Sequence, residues 1–193
     1  VVGSTNQTAI YDAEDNGTNQ MVFQYTIQAG ETDSDGISIG ANALARPGSS
    51  TIRDAFGNDA NLSHDEVSRN EEYKVDTTAP SVNSFTIDDT LFTVGETAPV
   101  TLRFSEAVTD FTNADITVDN GSLSTMTSPS GDNITWTGTF TPNPSTEDAT
   151  NTLSLAINSY TDLAGNNGPA AQTANYGINT LGPTISSVAI TGE

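Results

Sequence analysis

The sequence contains no cysteine among its 193 residues and only one histidine, His64. The absence of cysteine excludes a disulfide framework, a thiolate metal site and a thiol nucleophile. A single histidine in the polar stretch "LSHDEVS" cannot build a histidine-rich zinc site, and no Ser-His-Asp spacing accompanies it. Because no nucleophile, general base or cofactor fingerprint is present, the sequence predicts that the protein is not an enzyme.

Basic residues are also scarce: 5 Lys and Arg face 25 Asp and Glu, which gives a net charge of −20. Nucleic acids and anionic membranes are polyanions, so this charge argues against both as partners. No hydrophobic run is long enough to span a bilayer, and we expect no membrane insertion of this segment. The carboxylates are suited to divalent cations, but they could equally serve solubility, and the composition leaves both interpretations open.

What the sequence does contain is a series of short stretches in which apolar and polar residues alternate. Examples are "MVFQYTIQ" at 21–28, "PVTLRFSEAV" at 99–108 and "NITWTGTF" at 133–140. Alternation with a period of two predicts β-strands that place one face on a core. Turn clusters such as "SPSGDN" and "AGNNGP" separate them, and about seven such strands per hundred residues are typical of a β-sandwich. We therefore predict an all-β protein.

Two phrases occur twice along the chain. "RDAFGND" at 53–59 is echoed by "TDLAGNN" at 161–167, and "VDTTAPSV" at 75–82 is echoed by "INTLGPTISSV" at 178–188. The second pair is 103 residues apart, which is the length of one sandwich domain. Self-similarity at a fixed period predicts tandem modules, with the second pair of phrases as the joints between them.

The repeat predicts three segments. Residues 1–78 are expected to be a module that lacks its first strands, because the aromatic strand position near Phe23 comes early compared with Trp136 of the next module. Residues 79–180 are expected to be a complete module. Residues 181–193 are expected to be the leading strand of a following module.

Four motifs of the central module give a family resemblance. They are "DTTAP" at 76–80, "FSEAV" at 104–108, "FTP" at 140–142 and "DLAGN" at 162–166, in that order. Together they resemble a bacterial immunoglobulin-like domain of the kind repeated in large surface adhesins. Residues 20–80 resemble the later half of a sister module.

The resemblance implies tandem seven-stranded immunoglobulin-like β-sandwiches in an extender segment of a secreted, repetitive cell-surface adhesin. It implies that the partners of each module are neighbouring modules of the same chain. It also implies calcium at or near the joints, where the ion would make the array rigid.

The strand order of a sandwich lets candidate calcium ligands be named. If strands run alternately up and down, the turns after the second and sixth strands of the complete module lie at the end where the linker enters. The turn "ETDSDG" of the preceding module is expected to face that end. Clustered carboxylates repel one another unless a hard cation lies among them, and Ca²⁺ takes six to eight such oxygens. The predicted ligands are Glu31, Asp33, Asp35, Asp76, Glu106, Asp162 and Asn166.

Turn chemistry is the alternative interpretation for some of these residues. Asp and Asn bond their own backbone in tight turns and Gly supplies positive φ, so "DLAGN" is explained by a turn as well as by a ligand. For "DSDG" next to Asp76 we expect a cation instead, because no basic residue is expected nearby to neutralise the carboxylates.

Two other functions remain open at this stage. In the first, the protein is a self-assembling extracellular filament or surface-layer subunit, and residues 184–193 of one chain add as a strand to the first module of an identical chain. In the second, loops at one end of a sandwich bind a glycan or a protein. An exposed aromatic cluster on those loops would favour the second, and the sequence shows none.

Overall fold

The structure is a computed structural model that describes residues 1–12 and 20–191. The chain consists of two compact units, Val1–Thr78 and Ala79–Glu193, which we call unit 1 and unit 2. The described residues form strands, turns and one short 3-10 helix, η1 (Asn113–Asp115). The prediction of an all-β protein is confirmed; that the units are modules of one repeated array stays a prediction.

Unit 1 consists of two antiparallel strand pairs and connecting turns. Its strands are β1 (Ile10–Asp12), β2 (Val22–Gln24), β3 (Thr32–Asp33) and β4 (Val75–Asp76), with β1 paired to β2 and β3 paired to β4. Among its described hydrophobic residues only Val2 and Val75 are buried. The order of this unit therefore depends mainly on backbone pairing and on hydrogen bonds within turns, since little apolar surface is removed from water.

Unit 2 contains the longer strands and the core. Its strands are β5 (Val82–Ile87), β6 (Leu91–Phe92), β7 (Ala98–Phe104), β8 (Val108–Thr109), β9 (Ile116–Val118), β10 (Gly121–Leu123), β11 (Thr135–Pro142), β12 (Glu147–Asn151), β13 (Leu153–Leu155), β14 (Thr161–Asp162), β15 (Ala171–Gln172) and β16 (Tyr176–Asn179).

These strands form two layers. One is a four-stranded antiparallel sheet in the order β10-β11-β7-β5. The other is made of the smaller groups β12-β16-β6, β15-β13-β9 and β14-β8, in which β16 runs parallel to β6 and all other pairs are antiparallel. Alternation along β7 explains how the layers meet: its first, third, fifth and seventh residues are buried, and the residues between them are more exposed.

Aromatic side chains from both layers fill the core. Phe140 of β11, Phe92 of β6 and Tyr176 of β16 are fully buried. Their ring centroids lie 5.0 to 5.6 Å apart in edge-to-face geometry. Such contacts stabilise the core beyond the area they bury. Because the three residues belong to facing layers, unit 2 is a β-sandwich closed around one hydrophobic core.

The predicted leading strand at 181–193 forms no strand within its described part, 181–191. Its apolar side chains Ile185, Val188 and Ile190 are 84%, 86% and 98% exposed. Residues 192–193 of this prediction lie outside the described residues. That the segment opens a following module stays a prediction.

Candidate metal site

Three of the predicted ligands of unit 1 line one surface cleft. The pairing of β3 with β4 places Asp76 opposite Thr32, and the cleft of about 730 Å³ beside these strands is lined by Asp33, Asp35 and Asp76. Lys74 also lines it, so the cleft carries charges of both signs. The structure therefore brings these three carboxylates to one side of unit 1, and that they bind a cation stays a prediction.

Asp33 has a second role in unit 1, because its carboxylate accepts backbone hydrogen bonds. Asp33 is 3% exposed; its Oδ2 accepts from Gly3 N at 2.7 Å. Its Oδ1 accepts from Gly36 N at 2.7 Å and from Asp35 N at 3.2 Å. The hydrogen bond from Gly3, followed by those from Gly36 and Asp35, lowers the pKa of Asp33 despite the opposing effect of burial. Asp33 thus holds residues 3 and 36 to its own strand.

The expectation that no basic residue lies near "DSDG" is wrong. Asp35 Oδ2 accepts a short hydrogen bond from Arg69 Nη1, and the two side chains form an ion pair. The two residues are 34 positions apart in sequence. Both side chains are more than half exposed, so the pair contributes little to stability. It does cancel part of the negative charge on which the prediction of a cation at this turn depended.

Glu31 is engaged elsewhere. Its Oε1 accepts hydrogen bonds from the Tyr25 hydroxyl and from Gln7 Nε2, and its Oε2 accepts one from Gln28 N at 2.7 Å. The hydrogen bond to Glu31, with smaller effects of burial and charge, raises the pKa of Tyr25 to about 12. Glu31 is not among the residues that line the cleft. The sequence groups Glu31 with Asp33 and Asp35 because all three belong to the turn "ETDSDG".

In unit 2, Asp162 closes a tight turn with Asn166. Asp162 Oδ1 accepts from Ala164 N at 2.8 Å and from Asn166 N at 2.9 Å, and its Oδ2 accepts from Asn166 Nδ2 at 2.8 Å. Gly165 has φ of +90°, a conformation that glycine adopts without strain. The turn interpretation of "DLAGN" therefore describes the local structure correctly, and it does not exclude metal binding.

Burial and hydrogen bonding have opposite effects on the pKa of Asp162. The residue is 2% exposed, and burial by itself raises the pKa of a carboxyl group. Hydrogen bonds from Asn166, Ala164 and Gly165 outweigh this effect, so the pKa of Asp162 is lowered. A buried, ionised carboxylate is consequently present at this turn.

Glu106 provides a second carboxylate at the same place in unit 2. A carboxylate oxygen of Glu106 and one of Asp162 lie within 4.8 Å of each other. Asp162 belongs to β14, which pairs with β8, and Glu106 precedes β8 by two residues. Two like charges at this separation repel, and a hard cation bound by both would remove the repulsion. The structure thus brings together Glu106, Asp162 and Asn166, the three ligands predicted within unit 2.

The echo of the turn in unit 1 has the same geometry. Asp54 Oδ1 accepts from Phe56 N and from Asn58 N, both at 2.9 Å, and Oδ2 accepts from Asn58 Nδ2 at 2.8 Å. Gly57 has φ of +87°, and the backbone bond from Gly57 N to Asp54 O is 3.0 Å. Asp54 differs in being exposed. The shared sequence therefore produces the same local structure in two different environments.

Comparison with known proteins agrees with the sandwich. The family model described as the bacterial Ig-like domain matches residues 76–178, and the chain belongs to this family. The resemblance of the central module to a bacterial immunoglobulin-like domain is confirmed, and its place in a tandem adhesin array stays a prediction. Domains of this family form a non-catalytic fold class and are typical of extracellular and surface proteins. A search of the curated proteins found no match, and a search of the solved structures found none either. Within the described ranges no helix is long and apolar enough to cross a membrane.

Proposed function

We propose that this chain is an extender segment of a secreted, repetitive cell-surface adhesin, and that Ca²⁺ stiffens the joints between its modules. The observation that carries the calcium part is the pair Glu106 and Asp162, with carboxylate oxygens within 4.8 Å of each other. The hydrogen bonds of its turn outweigh burial and lower the pKa of Asp162, so this carboxylate of the pair is ionised at neutral pH. Membership of the bacterial Ig-like family supports the assignment to a surface protein, and the extender role is our proposal.

The proposed ligands follow from the donor types that Ca²⁺ prefers. Glu106, Asp162 and Asn166 supply oxygens from unit 2, and Asp76, the last residue of β4, is the proposed ligand from unit 1. We propose that the other carboxylates of unit 1 contribute less to binding, because Arg69 pairs with Asp35 and cancels part of the negative charge of the cleft that Asp33 and Asp35 line.

The mechanism is electrostatic. Without a cation the carboxylates repel one another, and the linker is not held in one conformation. Bound Ca²⁺ turns the repulsion into attraction and restricts the linker, so an array of such modules extends. Because the ion binds the folded state, it also stabilises that state by mass action, by about 2.7 kcal/mol at a concentration one hundred times its Kd.

The test is a set of thermal melts in excess Ca²⁺, in Mg²⁺ and in chelator. We expect a midpoint rise that is specific to Ca²⁺, because Mg²⁺ demands stricter geometry and gives up water reluctantly. Glu106→Gln and Asp76→Asn should abolish most of the rise. Asp88→Asn removes one exposed carboxylate of unit 2 that is not a proposed ligand, and it should leave the rise intact. A wild-type protein whose midpoint does not respond to Ca²⁺ would refute the calcium part of the proposal.

A second candidate function is assembly between identical chains. The exposed segment "PTISSVAI" at 183–190 has the same pattern as "PSVNSFTI" at 80–87. Each begins with proline and has apolar residues at its third, sixth and eighth positions. In unit 2 the latter contains β5, which pairs with β7 and buries Phe85. The exposed segment therefore has the pattern of a first strand, which favours either a following module or strand addition to another chain.

Sedimentation over a range of concentrations separates the two possibilities. Strand addition predicts concentration-dependent oligomers that disappear when residues 184–193 are deleted. A protein that stays monomeric at all concentrations would refute assembly and would leave the extender proposal untouched.

A further inference from the structure

The last residue before each linker is a threonine that is hydrogen-bonded to the unit it leaves. In unit 2, Thr180 follows β16 directly and is 6% exposed. Its hydroxyl donates to Asn143 O at 2.7 Å and accepts from Thr146 N at 2.9 Å. Its own N–H donates to Thr146 O at 2.8 Å. The hydroxyl and the main chain together tie the end of β16 to the turn before β12.

Thr77 makes the same kind of attachment in unit 1. It follows β4 directly, and its hydroxyl accepts from Gly30 N at 2.8 Å and donates to Glu31 O at 3.0 Å. These two residues form the turn before β3, the strand that pairs with β4. Thr77 and Thr180 are 103 residues apart, so they occupy the same position in the repeated phrase.

The residues that follow leave the linker few ways to move. Only Thr78 and Ala79 lie between Thr77 and Pro80. Proline fixes its own φ and restricts the residue before it, so Ala79 is confined to extended conformations. A linker anchored at its first residue and stiff at its last has little conformational freedom between them.

From this geometry we infer that Thr77 and Thr180 are positioning residues that fix the direction in which each linker leaves its unit, without any metal. Their partners are neutral backbone groups, so the attachment does not depend on Ca²⁺. The inference rests on the proposed extender role, which gives a fixed linker direction its purpose. It adds a second, uncharged source of stiffness to the calcium joint.

Spin labels test the inference, since the absence of cysteine lets two be introduced without background. Ser68→Cys and Ser122→Cys place one label at an exposed position of each unit. Pulsed EPR then gives the distribution of the distance between them. In chelator, Thr77→Val should broaden the distance distribution, because the linker loses the two hydrogen bonds of the Thr77 hydroxyl. Valine has nearly the same volume as threonine, so packing changes little. Thr77→Ser should restore the wild-type width.

Thr173→Val is the matched control. Thr173 is 3% exposed, and its hydroxyl accepts from Leu153 N at 3.1 Å, away from both linkers. The control loses the same kind of hydrogen bond, but it should leave the distribution unchanged. If Thr77→Val has the wild-type width, or if Thr173→Val broadens the distribution equally, the inference is wrong. Narrowing of the wild-type distribution by Ca²⁺ tests the calcium joint separately.

Hydrogen exchange keeps the inference testable if Thr77→Val disturbs unit 1 as a whole. In Thr180→Val the amide of Thr146 loses its acceptor, and its exchange should become roughly fivefold to tenfold faster. The backbone order parameters of Leu181 and Gly182 should fall in the same variant. Unchanged exchange at the Thr146 amide, or unchanged order parameters at both linker residues, would overturn the inference for unit 2, whose hydrophobic core does not include Thr180.

Discussion

Asn166 Nδ2 donates a hydrogen bond to Asp162 Oδ2 at 2.8 Å, and Asn58 Nδ2 donates to Asp54 Oδ2 at the same distance. Each pair closes a turn of five residues with a glycine of positive φ at its fourth position. Only Asp162 is buried. One local motif therefore supplies a surface turn in unit 1 and a buried anionic group in unit 2.

The two turns predict different effects of the same substitution. Asp162→Ala should lower the free energy of unfolding of unit 2 by about 1–3 kcal/mol, because it removes a buried carboxylate that accepts three hydrogen bonds from Ala164 and Asn166. Asp54→Ala is the matched control and should cause a smaller loss, since water can replace its carboxylate. Urea denaturation in chelator measures both. Equal losses would contradict the role assigned to burial.

Asp132 predicts a pH dependence in unit 2. The hydrogen bond from Ile134 N, together with the Ser130 hydroxyl, lowers the pKa of Asp132 from 3.8 to about 2. A lowered pKa in the folded state means that the unfolded state binds the proton first. The stabilisation is therefore complete above the ordinary value of 3.8 and is lost as the pH falls towards 2. An NMR titration of the Asp132 carboxyl carbon should have its midpoint near 2, and Asp132→Asn should remove this contribution.

The aromatic core predicts that two substitutions lower the free energy of unfolding by different amounts. Phe140→Ala removes a fully buried ring that packs against Phe92 and Tyr176, and it should lower the free energy of unfolding by about 3–5 kcal/mol. Tyr176→Phe keeps the ring but removes a hydroxyl that donates to Asp119 O at 3.0 Å. It should lower the free energy by about 1 kcal/mol. A larger loss for Tyr176→Phe than for Phe140→Ala in denaturant titrations would contradict this view of the core.

Close packing at Gly168 predicts a steric effect. A Cβ at this position would lie 2.1 Å from ring atoms of Tyr160, which is buried and donates its hydroxyl to Pro169 O. Gly168→Ala should therefore displace the ring and destabilise unit 2 by about 1–3 kcal/mol. At Gly182 a Cβ would meet nothing within 4 Å, so Gly182→Ala is the control and should be nearly neutral. Thermal melts of both variants distinguish them.

Several features of the fold were predictable because they are local. The alternation in "PVTLRFSEAV" corresponds to β7 with its inward and outward residues, and the Asp-x-x-Gly-Asn motif corresponds to a turn whose bonds span five residues. In unit 1 the same pattern predicts more strand than the structure contains. "MVFQYTIQ" predicts a strand over residues 21–28, but only β2 (Val22–Gln24) forms there. An alternating pattern becomes a long strand only where a second layer covers its apolar face, and most described apolar residues of unit 1 are exposed.

The all-β class, the repeated phrases, the family and the acidic composition can all be predicted from the sequence, because each follows from neighbouring residues or from residue counts. The contacts that each carboxylate makes depend on the folded structure. Arg69 forms an ion pair with Asp35, and Gly3 N donates a hydrogen bond to Asp33. Glu106 lies beside the buried Asp162. These partners are 30 to 56 residues apart in sequence. Charge interactions and burial depend on distance in space, and in a β-sandwich that distance is set by strand pairing and not by sequence separation.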